Sequence, residues 1–309
     1  MFSAITSPHN PRVKNAALLR ESRPRRREGL FLVDGFREIW RAWRSRFEIV
    51  EVFVNAGTQL FSEQKVTIES LLHSSNTNLN RIDELSCFFK EITSAGVPLI
   101  PLSSAAFEKV RFGDRDEGIV AVVKEKTSTL TELETILDRR RIETGEEPLV
   151  ATLEGIEKPG NFGAILRSAD GAGVDALIVA ASTYDVFNPN AVRASLGAIF
   201  HIPIVVAPAE DIIVWLRKNR LQRVTALCDE SLSYLHLDYS RPTSIVLGSE
   251  AHGLTAQWSK ETQEDIEFDL LKKTRLPMLG IADSLNVSAA AAVFFYEARR
   301  VRSVTGVHN

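Results

Sequence analysis

The sequence predicts an α/β protein in two parts, a C-terminal half built on a mostly parallel sheet and a smaller α/β unit ahead of it. Three observations lead there. From Leu149 onward, short apolar runs alternate with helical patterns, which is what strand–helix–strand crossovers in a sheet buried on both faces require. Nearer the N-terminus, "GLFLVDG" sets a strand directly ahead of an amphipathic helix. Between the two parts, "TSTLTELETILDRRRIETGEEP" (127–148) is polar and charged, the composition of a boundary. A chain of 309 residues has length for two cores. We divide it into a domain over 1–124, a linker over 125–148 and a domain over 149–309.

The elements follow in order. After the strand "GLFLVDG" comes the helix "FREIWRAWRSR", in which Ile39, Ala42 and Trp43 recur at helical spacing. "FEIVEVFVN", "VPLIPL" and "GIVAVVK" supply three more strands of the first domain. In the second, "LVATLEG", "DALIVAA", "IPIVVA", "VTALCD", "SIVLGSE" and "IEFDL" read as strands. "GAILRSADGAG" reads as the helix after the first of them. A last helix, rich in alanine, carries Val287, Ala291, Phe294 and Ala298 along one face. Sheets of this kind bind ligands beyond the carboxyl ends of their strands, so the second domain is expected to hold the chemistry.

Composition narrows the classes. Apolar content of 44% and charged content of 25% describe a globular protein. No apolar run approaches the ~20 residues that span a bilayer, and "MFSAITSPHNPRVK" lacks the apolar core of a secretory signal, so no membrane partner and a cytoplasmic location are expected. Cys87 and Cys228 lie far apart and the six histidines show no ligand spacing, so neither a disulfide framework nor a metal site is expected. The net charge of −3 conceals an asymmetry: between Asn10 and Arg46 stand eleven basic residues and four acidic ones. That stripe has the footprint of a polyanion-binding face, with Arg12, Lys14, Arg23, Arg25, Arg26 and Arg27 as candidate nucleic-acid-binding residues; a solvated helix face is the plainer alternative.

Three loops of the second domain carry candidate chemistry. "LEGIEKPGNFGAILRSADGAG" (153–173) places Asn161, Gly163 and Arg167 where a strand hands over to a helix. Free N–H groups and glycines there favour an anion, although neither a G-x-G-x-x-G fingerprint nor a P-loop Lys-Ser/Thr is present. Asn161 as a helix N-cap is the plainer reading. "SIVLGSEAHGL" (244–254) breaks a strand at Gly248, where a ligand could lie against the backbone, and sets Glu250 beside the strand end. His252 reads as a loop residue. "LPMLGIADSLNVSAAAAVFFYEARR" (276–300) brings Ser284, Asn286 and Ser288, all N-cap types, to the start of the last helix, more than one cap needs.

Taken together and in this order, the loops resemble the signatures of the SpoU (TrmH-type) family of RNA 2′-O-ribose methyltransferases, within the knotted SPOUT superfamily. N-x-G-x-x-x-R matches Asn161-Gly163-Arg167, G-x-E matches Gly248-Glu250, and P-M…S-L-N-V-S matches Pro277-Met278 with Ser284 to Ser288. The resemblance runs from Leu149 to about Arg302; "SPHNPRVK" and "FLVDGFREI" resemble, more loosely, the RNA substrate-binding domain that many members carry in front. Glu154 stands where Asp is frequent, and Ser249 where Asn is common.

The resemblance implies an α/β-knot with a deep trefoil in the C-terminal domain and a homodimer whose active site lies at the subunit interface. It implies S-adenosyl-L-methionine as cofactor, with Leu247, Gly248, Leu276 and Leu285 holding it, and methyl transfer to a ribose 2′-hydroxyl of structured RNA, ribosomal in preference to transfer RNA. Arg167, Asn161, Glu250, Ser284 and Asn286 would carry the reaction. Because guanidinium stays protonated, Arg167 is expected to fix the RNA phosphate and stabilise the developing oxyanion. Two other classes fit the residues less well: a non-catalytic RNA-binding or ribosome-assembly factor on the same fold, and a nucleotide-dependent dehydrogenase, against which the missing glycines weigh.

Overall fold

A computed structural model describes residues 4–56, 79–112, 117–227 and 232–305. Cys228 therefore lies outside the described residues, as does the end of the expected strand "VTALCD". The chain forms two compact units. One comprises Met1–Lys126 with the excursion Phe187–Arg193; the other comprises Thr127–Val186 and Ala194–Asn309.

The first unit begins with helices α1 (Pro11–Leu18) and α2 (Ser22–Glu28), then alternates β1 (Leu30–Asp34), α3 (Phe36–Arg44), β2 (Ile49–Asn55), α4 (Leu79–Ser94), β3 (Leu99–Leu102), α5 (Ser104–Val110) and β4 (Ile119–Lys124). Its sheet runs β1-β4-β2-β3, with β4 antiparallel to both neighbours and β2 parallel to β3. Val13, Ala16, Leu32, Phe53, Leu102, Phe107, Val120 and Val122 form its core.

The second unit opens with α6 (Leu130–Thr144), inside the segment that composition reads as a linker. Thr129 and Glu132 form a capping box that starts this helix, and Leu133 and Leu137 are buried in the unit's core. There follow along the chain β5 (Leu149–Glu154), α7 (Pro159–Ala172), β6 (Ala176–Ala180), α8 (Pro189–Ser195, whose residues up to Arg193 belong to the first unit), β7 (Ile204–Ala207), α9 (Ala209–Lys218), β8 (Gln222–Ala226), β9 (Thr243–Leu247), α10 (Gln263–Glu267), β10 (Leu271–Thr274) and α11 (Val287–Thr305). The six strands, ordered β10-β8-β9-β5-β6-β7, are parallel throughout. β5 and β9 occupy the centre, so the loops after them open side by side at one sheet end.

One strand is displaced from expectation. "IEFDL" does not extend: the capping box of Thr262 and Asp265 draws residues 263–267 into α10, Asp269 takes a left-handed φ of 54°, and the strand forms at Leu271–Thr274 instead. Its sequence, "LKKT", is a lysine-bearing sheet edge rather than an apolar run. Among the described residues no helix is long and apolar enough to cross a membrane.

Candidate active site

The first loop turns into helix earlier than its glycines suggest. Lys158 is the N-cap of α7 and Pro159 occupies the first helical position, where its missing N–H costs nothing. Asn161 is thus inside the first turn, not the cap, and its side chain is released to reach across to the second loop. There its Nδ2 donates to Glu250 Oε1 at 3.0 Å.

Glu250 ties the three loops together. Its Oε2 accepts from Lys158 Nζ at 3.0 Å, and Oε1 also accepts from Asn286 Nδ2 at 2.5 Å and from the Val287 N–H at 3.3 Å. The Lys158 hydrogen bond, then that of the Val287 N–H, holds the carboxyl below its ordinary range. With both oxygens engaged, this carboxylate holds the three loops in place. Glu250 makes no bond to Arg167, the partner that sequence reasoning considered.

Asn286 caps the last helix as well. Its carbonyl oxygen accepts from Ala290 N, and its Oδ1 accepts from Ser288 N at 3.0 Å and from Ser288 Oγ at 2.5 Å. One amide therefore starts α11 with its oxygen and engages Glu250 with its nitrogen.

Beside this network lies an open cavity of about 870 Å³, within the range of small-molecule sites. Leu247, Gly248, Leu276 and Leu285 all line it, as do Glu250 and Ser284. Leu227 and Phe294 add apolar wall, and His252 reaches it as an exposed loop residue. Gly248 is required by the chain's own turn. A Cβ there would stand 2.2 Å from the Gly253 carbonyl carbon and 2.5 Å from Leu254 N. What lies against this backbone is the chain's own turn, closed by Ser249 N to Gly253 O at 3.1 Å and Gly253 N to Ser249 O at 3.0 Å. Ser249 Oγ further accepts from His252 N. Glu154 braces the same loop, accepting from Thr255 N and Thr255 Oγ1.

The structure thus gathers Asn161, Glu250 and Asn286 by hydrogen bonds, and Ser284 with the four expected cofactor positions around one cavity. Arg167 stands apart: it is exposed, makes no hydrogen bond or ion pair among the described residues, and lies six residues beyond Asn161, about 9 Å along the helix axis. Of the expected RNA-binding residues, Arg12, Lys14, Arg23, Arg26 and Arg27 are exposed. Arg25 is a correction. It is 1% exposed and its Nη1 donates to Leu19 O at 2.8 Å. Three consecutive arginines in a helix sweep about 200° of its circumference, so one of them turns inward. Sequence reasoning missed Lys158, whose partner is 92 residues away and whose only local mark is its place before Pro159.

The SpoU rRNA Methylase family profile matches residues 148–296, and that of the MRM3-like substrate binding domain matches residues 10–121. The 23S rRNA (guanosine-2′-O-)-methyltransferase RlmB of Ralstonia nicotianae is 30% identical over 241 residues, which are 77% of this chain and 90% of that protein. The 23S rRNA (uridine(2479)-2′-O)-methyltransferase of Streptomyces viridochromogenes is 33% identical over 171 residues, and there the match spans only 53% of this chain and 57% of the relative. The crystal structure of the SpoU methyltransferase AviRb from Streptomyces viridochromogenes with the cofactor AdoMet aligns with a TM-score of 0.71 at 26% identity, covering 96% of this chain and 99% of that one.

Proposed function

Because the chain belongs to the SpoU rRNA methylase family, we propose that it transfers a methyl group from S-adenosylmethionine to a ribose 2′-hydroxyl of RNA, ribosomal in preference to transfer RNA. The observation that carries the reading is the Glu250 network beside the cavity, which joins all three loops. The cavity suits the cofactor: Leu247, Leu276 and Leu285 give apolar wall, and Ser284 and the loop backbone around Gly248 give polar atoms. When bound, S-adenosylmethionine supplies an electrophilic methyl carried on a sulfonium.

The chain's own residues then do three things. Leu247, Leu276 and Leu285 keep water from the reacting centre, where charge is consumed rather than created. Glu250, held by Lys158, fixes Asn161 and Asn286, so the first and third loops keep their places relative to the cavity. Arg167, with five donors free, binds the RNA phosphate and stabilises the developing 2′-oxyanion, and Ser284 completes the polar contacts. Orientation of this kind can lower a barrier by ~7–11 kcal/mol relative to a bimolecular reference.

Two finer features belong to the same proposal. The first is a trefoil knot. In its support, the chain leaves the edge strand β10, passes residues 275–286 beside the second loop, and returns as α11 to pack on α7 and near the central β9. The second is a homodimer with a shared site. Leu279 and Ile281, 98% and 105% exposed within the third loop, form an apolar face that a partner would cover, and a partner would also bring an Arg167 to a cavity that its own does not line.

The test is methyl transfer from labelled S-adenosylmethionine to unmodified ribosomal and transfer RNA transcripts, with nucleosides identified by mass. A 2′-O-methyl nucleoside is expected, preferentially in ribosomal RNA. Arg167→Ala is expected to abolish it while leaving cofactor affinity within a few-fold. A near wild-type rate in that variant refutes the role of Arg167; no cofactor binding by the wild-type chain refutes the enzyme reading.

A further inference from the structure

Helix α3 ends in a way that sequence alone does not favour. Arg46 N donates to Trp43 O at 2.9 Å and Phe47 N donates to Ala42 O at 3.0 Å, the paired bonds of a Schellman turn. The residue in the left-handed position of such a turn is usually glycine, because a side chain there crowds the backbone. Here it is Arg46, with φ of 58°. Its guanidinium makes no hydrogen bond or ion pair among the described residues.

What Arg46 faces is a groove of about 590 Å³ in the first unit, lined by Trp43, Arg44, Arg46, Phe47, Glu48 and Glu91. Trp43 is half-buried and fixed there, its Nε1 donating to Glu91 Oε2 at 2.5 Å. Arg44 lies over the Trp40 ring at 5.3 Å and Lys126 over the Phe47 ring at 5.5 Å. Glu48 is paired with Lys124 at 3.2 Å. Arg44 and Arg46 line the groove with Glu48 and Glu91, whose carboxylates are already engaged by Lys124 and by Trp43, so the two arginines stand beside the half-buried Trp43 ring. This is the combination that holds unpaired nucleotides, with bases stacked on π-faces and phosphates met by arginine. Arg44 and Arg46 are the last arginines of the basic stripe between Asn10 and Arg46.

We propose that this groove is a nucleotide-binding subsite for single-stranded RNA, with a base stacking on Trp43 and a phosphate met by Arg46 and Arg44. The proposal rests on the reading that the substrate is RNA and adds where an unpaired stretch of it is held.

The experiment uses the full chain and a short, unstructured, fluorescently labelled oligoribonucleotide, titrated by anisotropy at several salt concentrations. The variants are Arg46→Gly and Trp43→Leu, and methylation of RNA by the wild type is measured alongside. Arg46→Gly is expected to raise Kd at least about fivefold and to make the log–log salt slope shallower by about 0.7, the single-strand value for one phosphate contact. Its Tm should be equal to or above wild type, because glycine relieves the left-handed strain; a residue kept for structure would not show that combination. Trp43→Leu is expected to raise Kd about tenfold or more. Unchanged affinity in both variants, with a wild type that methylates RNA, overturns the groove and leaves the function standing. Weakening by Arg46→Gly alone overturns the stacking contact. A wild type that neither binds nor methylates RNA overturns the underlying reading instead.

Discussion

Gly248→Ala is the substitution whose consequence the structure determines most directly. The added methyl would sit 2.2 Å from the Gly253 carbonyl carbon and 2.4 Å from its oxygen, about 1.2 Å short of ordinary contact. The neighbour is backbone, not the end of a flexible side chain, so the turn itself must open. Overpacking costs about 1–3 kcal/mol, and the two Ser249–Gly253 hydrogen bonds contribute roughly 0.5–1.5 kcal/mol each. We expect a loss of about 3 kcal/mol. For a unit of this size that lowers Tm by about 6–12 °C, at roughly 2–4 °C per kcal/mol. Because the same turn lines the cavity, affinity for S-adenosylmethionine should fall by an order of magnitude or more. Calorimetric melting and titration calorimetry read the two effects. Gly160→Ala is the control: nothing lies within 4 Å of its added methyl, and Gly160 is already helical. It should melt at or slightly above the wild-type temperature, since alanine is favoured over glycine in a helix by up to ~1 kcal/mol. If Gly248→Ala melts within about 2 °C of wild type and binds cofactor unchanged, the account of the turn is wrong.

Two further predictions concern stability. Asp265 is buried between Arg223 Nη2 at 2.8 Å and Arg217 Nη2 at 3.0 Å. Burial pushes its carboxyl up, but hydrogen bonds from Arg217 and Thr262 and the charge of Arg223 outweigh that and bring it from 3.8 to about 2. A depressed carboxylate stabilises the fold fully above pH 4 and loses that contribution as pH falls through 3.8 toward 2. The shift corresponds to about 2–3 kcal/mol. Asp265→Asn should cost about 3–5 kcal/mol at neutral pH, because Arg223 is then left buried without its counter-charge, and should abolish this part of the acid transition. A denaturant midpoint unchanged at pH 7 contradicts the assignment. Arg302, 9% exposed, donates to the carbonyls of Tyr239, Pro148 and Arg241 at 2.9, 3.1 and 3.0 Å and to that of Glu147. Arg302→Lys should destabilise by several kcal/mol, since an ammonium cannot reach four carbonyls laid out for a planar fork; a melting temperature equal to wild type would show that the fork is dispensable.

How much of this was legible in the sequence depended on whether the cause was local. Alternating apolar runs located five of the six strands of the second unit, because burial on both faces leaves a continuous apolar signature. The sixth, "LKKT", sits at the sheet edge and has no such signature. The capping box of Thr262 and Asp265 was readable in principle, but the apolar "IEF" beside it imitated a strand. Burial of Arg25 follows from helix geometry, yet composition treats all arginines alike. Lys158 has no local mark beyond its place before Pro159, since its role exists only once β5 and β9 lie adjacent and bring Glu250 across.

Gly248 shows the deeper limit. A motif glycine records that something approaches the backbone too closely for a side chain, and the sequence reading took that object to be a ligand. The structure sets Gly253 and Leu254 against that backbone. The two readings predict the same residue and the same loss of binding on substitution, but they differ in what else is lost. A glycine kept for a ligand can become alanine without harm to the free protein, whereas one kept for a turn cannot. Melting of the ligand-free chain therefore separates them where activity would not, and the same logic extends to Asn161 and Asn286. Because their amides hold Glu250, replacing either should loosen the loops before any RNA arrives.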